Sequence, residues 1–154
     1  AGAGRKAGDL LKEQLAAQLP VELRTEFTND IDSLERGLSV SAIHPSLMSL
    51  LRPSIQPYMK SWLKQDPQKL ISQLSCPVLI VQGTKDLQVK EIDAQKLYQA
   101  NQKSKLIMIR NMNHVLKQLD SDKSSDNVNA YSNPSLPVSK ELITTITNFI
   151  HPAR

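Results

Sequence analysis

At 154 residues the chain is long enough for one domain with a sizeable core, and its 40% hydrophobic and 22% charged residues are the proportions of an ordinary soluble globular protein. Aromatics are only 4%, so aliphatic side chains must do most of the packing. The net charge of +4 comes from scattered basic residues: Lys60, Lys64 and Lys69 lie close in sequence, but no aromatic positions interleave them, so no nucleic-acid partner is expected.

The first half reads as helices only. Leu11, Leu15 and Leu19 recur at helical spacing behind Asp9, an expected N-cap, and Pro20 ends the run. Leu23, Phe27, Ile31, Leu34 and Leu38 mark a longer amphipathic helix with Gly37 near its end. Ile55, Tyr58, Met59 and Trp62 form another helical face, and "QDPQKLISQL" follows with Asp66 as cap and Pro67 in the first turn.

The second half changes character. "CPVLIVQG", residues 76–83, is a short apolar run rich in β-branched residues and closed by glycine, the pattern of a parallel strand buried on both faces. A weak helical pattern spans about Val89 to Ala100, and "KLIMIR", 105–110, repeats the buried-strand signature. A last helix carries Leu142, Ile146, Phe149 and Ile150 behind Ser139. Strand, helix, strand, helix implies a right-handed parallel crossover, yet two strands make too small a sheet to be covered on both faces. Between His114 and the last helix, "DSDKSSDNVNAYSNPSLP" has no period and reads as a long loop; it lacks the glycine and glutamate of a calcium loop.

Cys76 is the only cysteine, so no intrachain disulfide or thiolate-rich metal site can be built; a buried thiol in a reducing, cytoplasmic setting is expected. No apolar stretch reaches membrane-spanning length.

In open α/β sheets, functional groups collect at the carboxyl ends of the strands. "GTKD" places Asp86 just past the first strand and "NMNH" places His114 just past the second, 28 residues on. If the strands are parallel, both side chains emerge at one sheet edge. A carboxylate beside an imidazole fixes its tautomer and stabilises the imidazolium formed when the ring takes a proton from a nucleophile. The bland readings are a turn-forming aspartate and an idle loop histidine. His44, before Pro45, reads as structural or cap-lining, and His151 has no evident partner.

"CPVLIVQGTKDLQV" followed by "KLIMIRNMNHVL" resembles the C-terminal part of the α/β-hydrolase superfamily, in its esterase, lysophospholipase and serine-aminopeptidase-like branches. The resemblance implies an incomplete α/β-hydrolase fold: a helical cap, then two parallel strands with flanking helices, without the N-terminal sheet. Residues 1–62 would be the cap region following a strand end at "AGAGR", and 63–154 the C-terminal part of the core. Asp86 would be the triad acid and His114 its base, with no metal or organic cofactor. The substrate would be a small ester or related acyl compound. Met48 and Leu51, with Leu47, Tyr58 and Trp62, would line an apolar acyl pocket, although helical core packing explains them equally well.

The superfamily carries its nucleophile on a G-x-S-x-G elbow, and no such motif occurs here. The nearest string, "GLSVS", follows a helix rather than a strand, so Ser39 reads as a turn residue. The expectation is therefore a chain that supplies acid and base to a triad whose serine lies in a missing N-terminal half, inactive alone and prone to self-association through an open sheet edge. The alternative from another class is a non-catalytic binding or assembly module on the same fold.

Overall fold

A computed structural model of the chain describes residues 4–16 and 18–151. The expected strand end at "AGAGR" thus lies largely outside the described residues. The chain divides into a helical unit, Arg5–Leu70, and a sheet unit formed by Ile71–Arg154 with Ala1–Gly4.

In the helical unit, α1 (Ala7–Ala16) and α2 (Val21–Glu35) are separated by Pro20. Asp9 does not cap α1; the helix starts two residues earlier, and Asp9 sits in its first turn, where its charge favours the positive end of the helix. Gly37 ends α2 in a left-handed conformation, φ +83°, while Gly37 N–H donates to Leu34 O and Leu38 N–H to Ser33 O, both 2.9 Å. Those two bonds satisfy carbonyls that the helix end would otherwise leave unpaired. A 3-10 turn, Pro45–Leu47, leads into α3 (Met48–Leu51), followed by α4 (Gln56–Leu63) and α5 (Pro67–Ser72), whose last residues belong to the sheet unit. Asp66 caps α5 as expected, accepting from Gln68 N–H at 3.1 Å and Lys69 N–H at 3.3 Å.

Phe27, Ile31, Leu34, Leu47, Leu51, Met59 and Leu63 form the core of this unit, with Leu11, Leu15 and Leu19 packed against it. Buried Gln56 fastens the 38–44 segment: its amide donates to Val40 O (2.7 Å) and Leu51 O (2.9 Å), and its oxygen accepts from Val40 N–H (3.0 Å). Lys12 pairs with Asp32 at 2.7 Å, a hydrogen bond that raises the lysine pKa above its ordinary value. Asp30 is buried with Oδ2 unpaired, and burial, then the nearby charge of Glu26, raises its carboxyl pKa.

In the sheet unit, β1 (Leu79–Gly83) and β2 (Lys105–Ile109) pair in parallel, in register from Leu79↔Lys105 to Gly83↔Ile109. Between them runs α6 (Glu91–Ala100). The alternation of side chains gives each face its own partner. Ile80 and Leu106 pack with Ile71 and with Ala94 and Leu97 of α6. Val81, Ile107 and Ile109 pack on the other face with Met112 and Leu142, the latter from α8 (Lys140–Ile150). This is an α/β arrangement with a two-stranded sheet among the described residues.

In the sheet unit further expectations change. β1 begins at Leu79 rather than Cys76, and Cys76 is exposed: it lies in the loop before the strand, where Pro77 has no N–H for a ladder. The polar stretch after His114 is not one loop but holds α7 (Ser124–Ser132). On α8, Leu142 is buried and Phe149 half-buried, whereas Ile146 and Ile150 are exposed.

Candidate active site

The carboxyl ends of both strands are laced together by backbone. Thr84 N–H donates to Ile109 O and Lys85 N–H to Met112 O, each at 3.0 Å, while Asn111 N–H donates to Thr84 Oγ1 at 2.9 Å. Gly83 permits this approach, since a Cβ there would stand 2.1 Å from Met112 O. Asn111 turns the chain after β2 with a left-handed φ of 61°, a conformation asparagine tolerates. His114 follows, within a loop closed by Asn113 Oδ1 accepting from Lys117 N–H at 2.9 Å.

Asp86 and His114 meet at this edge. Asp86 Oδ1 accepts from Gln88 N–H and Val89 N–H, both 2.9 Å, which locks the carboxylate in the turn before α6. His114 Nδ1 lies 2.9 Å from Asp86 Oδ2 and 3.0 Å from Oδ1. An ionised carboxylate can only accept, so Nδ1 carries the proton and donates, leaving the lone pair of the neutral ring on Nε2. The Asp86 side chain is 4% exposed and that of His114 is 30% exposed, so the acid is sheltered while the ring reaches solvent.

Neighbouring residues, absent from the motif reading, hold this edge together. Asn127 of α7 donates to Lys85 O at 2.7 Å and accepts from Asn113 Nδ2 at 3.3 Å, joining the residue before Asp86 to the residue before His114. Lys85 Nζ donates to Leu119 O and Ser121 O, both 2.8 Å, and pairs with Asp122 at 3.1 Å. Tyr131 stacks on the His114 ring, with centroids 6.5 Å apart and planes at 13°. The only signal for Asn113 and Lys85 was adjacency to the two candidate residues; α7 gave none.

The remaining candidates lie in the helical unit or at the tail. Ser39 is exposed beyond the end of α2 and accepts a hydrogen bond from Lys60 Nζ at 2.7 Å. His44 caps the 3-10 turn, its Nδ1 accepting from Ser46 N–H at 3.2 Å. Leu51 is buried in that unit's core, Met48 is exposed, and Tyr58 and Trp62 stack on each other. His151 ends α8 through a backbone hydrogen bond to Thr147. Among the described residues no group of three or more His, Cys, Asp or Glu side chains converges, and no helix is long and apolar enough to cross a membrane.

Parallel strands joined through a helix, with an aspartate–histidine pair at their carboxyl edge, place the chain in the α/β class and point to hydrolase chemistry. Residues 8–116 match the family model described as X-Pro dipeptidyl-peptidase (S15 family), and the chain belongs to that family, one of serine peptidases of the α/β-hydrolase type. The matched span takes in both Asp86 and His114 and ends before α7. No curated protein matches the sequence.

Proposed function

We propose that Asp86 and His114 are the acid and base of a Ser-His-Asp triad, working on a serine outside these 154 residues. The observation that carries this reading is the 2.9 Å contact from the Asp86 carboxylate to His114 Nδ1, beside parallel strand ends in a member of a serine hydrolase family. His114 Nε2 takes the proton of the serine hydroxyl as the oxygen attacks the acyl carbonyl. It then delivers that proton to the leaving group as the tetrahedral intermediate collapses. Asp86 keeps Nδ1 protonated and offsets the charge on the imidazolium.

The proposed substrates are small esters or related acyl compounds, as in the esterase branch that the strand-turn motifs resemble. A second reading, favoured by the family match, is release of an X-Pro dipeptide from a peptide chain. The helical unit is proposed as the cap, with exposed Met48 as an acyl contact; Leu51, wholly buried among Phe27, Ile31 and Leu34, serves packing. A lone exposed thiol at Cys76 fits a reducing, cytoplasmic setting.

Assays of the full gene product on a p-nitrophenyl ester and on an X-Pro p-nitroanilide separate the two substrate readings. Hydrolysis of neither, by folded protein, favours the non-catalytic binding module instead.

A further inference from the structure

We propose that Tyr131, held by Gln88, is a positioning residue that fixes the plane of the His114 ring. This rests on the acid–base reading above and adds to it a part for α7. A single N–H donated to a carboxylate locates Nδ1, but it does not stop the ring from twisting about that bond. Nε2 lies off the axis, so each twist displaces the atom that must meet the serine hydroxyl.

The contacts around the ring form a closed circuit. Asp86 accepts from His114 Nδ1 at 2.9 Å and, through Oδ1, from Gln88 N–H at 2.9 Å. The Gln88 side-chain amide donates to Tyr131 Oη at 3.0 Å. The Tyr131 ring lies nearly parallel to His114, at 13° and 6.5 Å between centroids, within the range of offset aromatic stacking. The same residue that orders the Asp86 turn therefore orders the tyrosine whose ring lies parallel to that of the histidine.

Tyr131 is not a chance neighbour on a loose segment. It stands four residues after Asn127, on the same face of α7. Asn127 is buried and tied to Lys85 O and to Asn113, the residues just before Asp86 and His114. A second tie comes from Lys117 Nζ, which donates to Ala130 O at 2.9 Å and also to Asn133 O. The helix is thus anchored to both loops of the pair, and the anchor delivers Tyr131 onto the ring. Geometry tolerances for general bases are tight enough that a small displacement of Nε2 lowers turnover.

The test is imidazole ¹⁵N spectroscopy of the chain in alkaline buffer, for wild type, Tyr131→Ala, Tyr131→Phe and Gln88→Ala. Wild type is expected to show His114 as the Nδ1–H tautomer, with cross-relaxation between its ring protons and those of Tyr131. Tyr131→Ala should keep the Nδ1–H tautomer but loosen the ring, read as faster ¹⁵N relaxation of the His114 ring nitrogens, while Tyr131→Phe, which keeps the stacking face but loses the bond from Gln88, should fall between Tyr131→Ala and wild type. Gln88→Ala should weaken the cross-relaxation to the tyrosine ring. If Tyr131→Ala does not fold, loss of that cross-relaxation in Gln88→Ala decides in favour, and its persistence unchanged decides against. Ring-nitrogen relaxation of His114 that stays at the wild-type rate in folded Tyr131→Ala would overturn the brace alone. An Nε2–H tautomer in wild type would overturn the acid–base pair itself.

Discussion

A methyl group on Gly83 would press into the Met112 carbonyl, between the two segments that carry Asp86 and His114. Gly83→Ala should therefore destabilise the sheet unit by about 2–4 kcal/mol and loosen the pair, read as a lowered thermal midpoint. Asp30 presents the opposite case, a natural residue that costs stability. Its folded carboxyl pKa is raised, by burial first and by Glu26 second. A raised acid carries no penalty below the ordinary carboxylate range. The penalty grows as the pH climbs above that range and is complete above the raised folded value. Asp30→Asn should thus be more stable than wild type at neutral pH by roughly 1 kcal/mol. Urea midpoints at neutral and acidic pH check this, the difference closing in acid; a constant difference would place the effect elsewhere.

At the scale of elements, α7 does through polar contacts what the other helices do through apolar faces. Asn127→Ala removes its 2.7 Å bond to Lys85 O and leaves that carbonyl without this donor. The expected cost is about 1–3 kcal/mol, with faster amide exchange concentrated in residues 113–132. This polar docking is also why the sequence hid the helix. Periodicity reveals a helix when aliphatic residues recur on a buried stripe, as Phe27, Ile31 and Leu34 do in α2. On α7 the inward positions are Asn127 and Ala130, with Tyr131 beside them, and no stripe results. β1 and β2 were legible because apolar β-branched runs ended in polar turns, and Asp86 and His114 were legible because each stood just past such a run. Cys76 and Asp9 were misplaced because an element's first residue depends on which backbone groups find partners, which side-chain type alone does not fix.

For the molecule as a whole, the family match, whose span includes Asp86 and His114, and the geometry of that pair bear on the same hydrolase chemistry. The sheet unit has two strands among its described residues, and Ile143, Ile146 and Ile150 of α8 are exposed. Unpaired strand edges and exposed apolar side chains promote association. Sedimentation of the isolated chain should accordingly show species larger than one chain that grow with concentration; a single monomeric species throughout would contradict this. The central claim, that Asp86 and His114 do the proton chemistry of a serine hydrolase, is tested most directly by turnover in the full gene product. Wild type, His114→Ala and Asp86→Asn are compared on whichever p-nitrophenyl ester or X-Pro p-nitroanilide the wild type cleaves. Each variant is predicted to lose a factor of about 10³ or more in kcat with little change in KM. Turnover near the wild-type level in both variants would contradict it.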